Sequence, residues 1–442
     1  MPPKLLAGAA AADITPADVQ FLFGYPHVAR YSTGVHDRLL SSALFLHDGR
    51  TSLLLVANDV IYVSKATACR VRERIERETG IPAANIMVTA THTHSGPMTV
   101  DVLSSEADPA APKTDPRYVA YLEDRMVEAA GKAGGHARPA EIGLARADGS
   151  CVGGNRHDPR GPSDPEAPVL VVRDLSSHAF LAVMPVCSMH PTVLHEDSTL
   201  VSGDFPAMTR QYLQQRVLGG QCPVVYHTGP CGNQSPRHVA RANTFGEAQR
   251  LGHLLGQSIA EAIRSIDYVS HVGLGCCREL IDLPLREIPS VREAEADLRR
   301  AWGRLESVRR AGAPRGQIRT AECDWFGAEE TVTLARAGAE GRLEATIASV
   351  LPAEVQLIQV GPWSFVGWPG ETYVEFALAV KSRDKNCCLV GLANGELQGY
   401  LVTEEAVRQR HYEGMNATLA SPEAGNRLVS TTLRLLAVHP SP

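Results

Sequence analysis

His92 and His94 stand two residues apart at the end of the apolar run Ile86-Met87-Val88-Thr89-Ala90. In extended backbone such residues point to the same side. Both imidazoles can therefore face one pocket where Gly96-Pro97 breaks the strand. Neutral imidazole is the commonest side-chain ligand of transition metals. A lone His-x-His pair can equally be two hydrogen-bonded histidines in a loop, and a metal site needs further ligands elsewhere in the chain.

The same design recurs four times. Val183–Met189 leads into His190-Pro191, and Pro223–His227 leads into the loop Gly229–Pro236, which carries Ser235. Ser364–Trp368 leads into Pro369-Gly370-Glu371, and Cys388–Leu392 leads into Asn394 and then Tyr400. Five apolar strand candidates thus end on His, His, Ser, Glu and Tyr. In open α/β sheets, sites form beyond the carboxyl ends of strands. Nitrogen and oxygen ligands spread over several strand ends are the sequence form of a distributed metal site. No H-E-x-x-H helix occurs, which excludes a zincin.

These residues need a scaffold, and the chain supplies alternating elements. Strands are predicted near 40–47 and 51–58, followed by a helix over about 65–79. A second helix over about 116–134 opens on Asp115-Pro116, an N-cap followed by a first-turn proline. Residues 148–168, rich in Gly, Pro, Asp and Arg, read as an active-site loop. Strands near 168–174 and 179–187 and helices near 205–217 and 243–266 follow. Residues 290–311 form a charged amphipathic helix, and Gly312–Arg319 reads as a flexible joint. No repeat of fixed period occurs. The expected fold is α/β, multi-layered, with central mixed β-sheets flanked by helices and the site at the C-terminal ends of strands. Residues 1–442 are expected to form a single catalytic unit, with 288–350 as a helical lid or cover.

Seven segments, in order, resemble the catalytic domain of the neutral/alkaline non-lysosomal ceramidases. They are Gly34–Arg38, Thr91–Pro97, Gly154-Asn155-Arg156, His190-Pro191-Thr192, Gly232–Pro236, Pro369-Gly370-Glu371 and Tyr400–Glu405 with Arg408–Gly414. The chain departs from the pattern where Gly232-Asn233 replaces the family's Gly-Asp before the serine. The run from Asn394 to Tyr400 is one residue longer than usual. Neither the secretory signal nor the C-terminal immunoglobulin-like domain of known ceramidases is expected here.

That family consists of zinc-dependent amidases. The resemblance implies one zinc per chain, held by His92, His190, Glu371 and Tyr400. Singly, each has an ordinary reading: a strand cap for His190, a helix-terminal carboxylate for Glu371, a core tyrosine for Tyr400. The resemblance further implies that His94 shuttles a proton or polarises the scissile carbonyl. Arg156 and Tyr412 would hold a substrate oxygen, and Ser235 is the serine often named as the nucleophile. Asp59 and Asp204 are candidate orienting groups. Zinc can instead bring water to a nucleophilic state near neutral pH. Asn233 cannot act as a base, so water is the expected attacking group. The expected activity is cleavage of an N-acyl amine to carboxylate and amine. The substrate would be a small molecule, an N-acyl amine or a sphingolipid-like one. Alternatives are a hydrolase or acyl-transfer enzyme acting on a soluble biosynthetic N-acyl metabolite, and a non-catalytic zinc-containing binding protein.

Composition narrows the setting. Hydrophobic residues make up 44% and charged residues 21%, as in ordinary globular proteins. The net charge of -6 and the lack of a basic run argue against nucleic acid as a partner. No apolar run is long enough to span a membrane, and the apolar stretch near the start is too short for a signal peptide. Of ten cysteines, Cys276-Cys277 and Cys387-Cys388 are adjacent pairs in apolar strands, and no C-x-x-C occurs. Reduced thiols and a cytoplasmic location are expected.

Overall fold

A computed structural model describes residues 4–415 and 418–438. Its largest sheet has eight strands. From edge to edge they are His227–Thr228, Phe180–Cys187, Glu166–Asp174, Arg138–Asp148, Leu6–Asp13, Leu40–His47, Ser52–Asn58 and Ile86–Ala90. The two outermost pairs are parallel and the inner pairs antiparallel. A second sheet orders Leu274–Ile281, Ala353–Val360, Trp363–Gly367 and Cys387–Val390, with only the last pair parallel. Both sheets are mixed, as the hydrophobic pattern implied.

Helices flank them. They include α1 (Lys65–Thr79), α2 (Pro116–Gly135), α3 (Asp204–Leu213), α4 (Phe245–Ala262), α5 (Val291–Arg310), α6 (Arg315–Ala339), α7 (Leu343–Val350), α8 (Val374–Lys381) and, near the end of the chain, Glu423–Val438. Their boundaries have local causes. Ser64 Oγ caps α1 by accepting from Thr67 N at 3.0 Å, and Gly80 ends it with φ 75°. Asp115 caps α2 from its side chain, ahead of Pro116.

One element was not foreseen, and one expectation changes. The alanine cluster near the start is a strand, Leu6–Asp13. Alanine is a poor strand former, but α2 packs closely on this strand. A side chain at Gly8 would meet Ala133 O at 2.3 Å. The joint expected at Gly312–Arg319 shrinks to the few residues between α5 and α6, because α6 already begins at Arg315. Pro314 stands immediately before that helix, where its missing N–H costs nothing.

A buried polar network joins the two sheets. Arg72 of α1 pairs with Glu354 of the second sheet through two bonds, at 2.8 and 3.0 Å, and donates to Ile86 O at 2.7 Å. Asn394 bonds both Glu354 and Gln356, and exchanges hydrogen bonds with Val88 at 2.7 and 2.9 Å. The strand that leads to His92 is thereby fixed against the segment that leads to Tyr400.

Candidate metal centre

His92 lies two residues past the strand Ile86–Ala90 and is fully buried. Its backbone sits in the left-handed region, with φ 69°, a strained conformation that the surroundings must hold. They do so twice: His92 N donates to Val60 O and Nδ1 donates to Ile61 O, both at 2.9 Å. His190, past the strand Phe180–Cys187, donates from Nδ1 to Cys231 O at 2.7 Å. Carbonyl oxygens only accept, so in both rings Nδ1 carries a proton, and in the neutral ring Nε2 is the atom with the lone pair.

Those lone pairs converge. Glu371 Oε2 lies 3.0 Å from His190 Nε2 and 3.3 Å from His92 Nε2. His94 Nε2 lies 3.4 Å from His92 Nε2. Its Nδ1 faces Gly24 O at 3.2 Å, an approach that requires glycine there: φ is 119°, and a Cβ would come within 2.3 Å of that nitrogen. Burial drives His190 down to about 4, although the Glu371 carboxylate beside it favours the charged ring, and holds His94 well below its usual value. Burial alone would raise Glu371, but His92 and His190 outweigh it and keep the carboxyl ionised. Once Nε2 is free of a proton, these imidazoles and the carboxylate all offer lone pairs toward one point, the donor set that a borderline-soft cation such as zinc requires. The ligand nitrogens of His92, His94 and His190 all lie within 4.8 Å of one another.

Tyr400 meets this cluster through a short parallel bridge. Glu371 and Tyr400 are register partners in it, so their side chains leave the same face. The guanidinium carbon of Arg156 lies 5.4 Å from the Tyr400 ring centre and 5.1 Å from that of Tyr412. Arg156 donates to Glu413 Oε1 at 2.7 Å from Nε and to Gly232 O at 2.5 Å from Nη2. Only Nη1 has no protein partner among the described residues. Ser235 Oγ accepts from Arg237 N at 3.3 Å, and among the described residues no histidine or carboxylate is bonded to it. His227, which flanks the serine loop, is bonded instead to Thr89 Oγ1 at 2.8 Å, and His238 to Arg156 O at 3.3 Å.

All eight candidate residues thus fall in one neighbourhood, and seven of them line a single cavity of about 880 Å³, with His92 buried behind it. Asp204 is fully buried and accepts from Val193 N and Leu194 N, which fixes the turn after His190. Burial pushes its pKa up to about 6, against those bonds. Asp59 holds Leu40 N and Arg210, and no candidate ligand.

Three residues at the site escaped sequence reasoning in their roles. Tyr62 donates a short hydrogen bond to Glu371 Oε1. Glu413, fully buried, binds Arg156 and also His157 Nε2 at 2.8 Å. His157 in turn stacks on His411 with ring centres 3.7 Å apart. The only signal for Tyr62 is its place after the apolar run ending at Asn58. Glu413 sits in the closing motif beside Tyr412.

The fold and this centre define a mixed-sheet protein with a metal-binding type of donor set, in a cavity partly lined by α6. Residues 5–133 match the family profile described as neutral/alkaline non-lysosomal ceramidase, N-terminal. The fold extends the likeness along the chain. A neutral ceramidase from Pseudomonas aeruginosa superposes with a TM-score of 0.75 at 19% identity, covering 97% of this chain and 73% of that one. A structure described as ceramidase complexed with C2 gives 0.75 at 16% identity, covering 100% and 76%. The first third of the chain is thus similar to the N-terminal part of the neutral/alkaline non-lysosomal ceramidases, and the whole chain has the fold of these two ceramidase structures.

Proposed function

We propose that this chain is a zinc-dependent amide hydrolase that cleaves an N-acyl amine to a carboxylate and an amine. The observation that carries the reading is the convergence of His92 Nε2, His190 Nε2 and Glu371 Oε2 on one point at the cavity floor. Those three residues, with Tyr400 beside Glu371, would hold the metal. Zinc bound there supplies a Lewis acid for the carbonyl oxygen and lowers the pKa of water.

The remaining residues have separate tasks. His94 faces both the cavity and the ligand imidazoles, with a neutral Nε2. It can accept a proton there and return it to the departing amine nitrogen. Arg156 Nη1 and the phenol of Tyr412 are donors for the oxyanion. Ser235 Oγ can donate to the substrate carbonyl or orient the attacking water. Water is the attacking group in this reading, because among the described residues no histidine or carboxylate is bonded to Ser235 to take its proton.

A second reading concerns the substrate. The cavity side of α6 carries Arg315, Arg319, Glu322, Glu329 and Glu330, with Ile318 and Phe326 between them. The same cavity is also lined by Phe21, Phe23, Ile61 and Val102, so the charge on the α6 side is the feature that supports a soluble N-acyl metabolite over a long acyl chain, since apolar chains gain most from apolar walls. In this reading residues 288–350 form the helical cover of the site. A reducing compartment such as the cytoplasm suits the ten unpaired cysteines. Among the described residues no helix is long and apolar enough to cross a membrane. Turnover of a panel of N-acyl amines, with and without chelator, tests the activity. Loss of turnover on chelation and recovery with zinc is the expected result.

A further inference from the structure

Three consecutive residues, Val60, Ile61 and Tyr62, contact two of the residues that would hold the metal. Val60 O and Ile61 O both accept from His92, from its backbone N–H and its Nδ1. Tyr62 donates to Glu371 Oε1. The segment is itself tied down, because Thr99 Oγ1 donates to Tyr62 O at 2.7 Å. The Tyr62 ring lies 5.2 Å from that of His92, so the phenol has little freedom to leave.

A glutamate carboxylate turns about a broad terminal torsion, and its two oxygens are equivalent ligands until something distinguishes them. In Glu371 something does. Oε1 is taken by Tyr62, while Oε2 faces His190 and His92. Glu371 is 3% exposed, so no bulk water competes for Oε1.

We propose that Tyr62 is a positioning residue of the metal centre. Its hydroxyl holds Glu371 so that Oε2 alone meets the metal, and Tyr400 is left as the tyrosine that can join the ligands. The proposal rests on the reading that His92, His190 and Glu371 bind zinc. Tyr62 also lines the cavity, so kinetics alone would not separate positioning from substrate contact. The readout must be the metal itself.

The experiment compares wild type, Tyr62→Phe and Tyr400→Phe, each prepared as apo protein and titrated with zinc against a chromophoric chelator. Melting of the apo proteins is recorded alongside. Partners of metal ligands typically contribute about 10–100-fold in affinity. Tyr62→Phe should therefore bind zinc about 10–100-fold more weakly, with the wild-type stoichiometry at saturation and the apo melting curve unchanged. An affinity within about twofold of wild type would overturn the role. So would a stoichiometry that saturating zinc cannot restore, which would make Tyr62 a ligand in place of Tyr400. A large drop in apo melting temperature would make the role structural and overturn the proposal as well. Wild-type protein that binds no zinc would overturn the metal centre as a whole, an outcome distinct from tight zinc binding that Tyr62→Phe leaves untouched.

Discussion

The side chain of Asn233 is bonded to the start of α8 and not to Ser235. Its Oδ1 accepts from Val374 N at 3.0 Å, and its Nδ2 donates to Glu375 Oε2 at 2.8 Å. The sequence suggested that Asn233 replaces a carboxylate serving the serine. In the folded chain this position instead satisfies the first turn of a helix. The residue type at 233 therefore says little about the serine, and the case against a serine nucleophile rests on the surroundings of Ser235 itself.

Ser235→Ala should lower the rate by about 10–1000-fold, the range for losing one contact to a developing oxyanion, without abolishing turnover. Asn233→Asp should not raise the rate. It removes the donor to Glu375 and sets two carboxylates side by side, so stability should fall by about 1–3 kcal/mol. Mass spectrometry of quenched turnover is the check. A kinetically competent acyl-Ser235 adduct would refute the assignment of water as the attacking group.

Arg156 and Glu413 give a pH dependence whose sign can be worked out. Burial would raise the Glu413 carboxyl, but Arg156 and His157 outweigh it and hold it at about 2, below its ordinary 4.5. Between those values the unfolded chain binds the proton and the folded one does not. This contribution to stability is thus complete above pH 4.5 and is lost as pH falls toward 2. Glu413→Gln should flatten the acid limb of a stability profile. It should also cost about 3–5 kcal/mol near neutral pH, since Arg156 is left buried without its counter-charge. Denaturant melts across the acid range decide it, and an unchanged acid limb would show that Glu413 does not carry the effect.

The charged wall of α6 predicts substrate preference. A short, soluble N-acyl amine should have a higher kcat/KM than long-chain ceramide presented in mixed micelles. Replacing Arg319 and Glu322 by leucine should narrow the difference, by lining the cavity with apolar surface. Efficient cleavage of long-chain ceramide with no turnover of soluble amides would reverse the ranking.

Much of this fold was legible because local signals and the hydrophobic pattern agree. α1 lies between Ser64 and Gly80, and α2 begins at the Asp115 cap, as their residue types imply. The strand Leu6–Asp13 was not legible, since its alanines are chosen for close packing with α2 and not for strand propensity. The segment Pro223–His227 read as a full strand, yet only His227–Thr228 pairs continuously, apart from a bridge from Val183 to Val224. At the site, each ligand-type residue was visible in a motif beside an apolar run. The groups that hold them were not. Tyr62 and Glu371 are 309 positions apart, and Arg156 and Glu413 are 257 apart. No local periodicity encodes a contact of that kind.

The central claim is that His92, His190 and Glu371 hold a zinc ion that turnover requires. The most direct test is elemental analysis and N-acyl amine hydrolysis on the same samples of wild type and His190→Ala, before chelation, after it, and after zinc is returned. The account predicts about one zinc per chain in wild type, activity that is lost and regained with the metal, and neither metal nor activity in His190→Ala. Full hydrolysis by metal-free wild-type protein would contradict it.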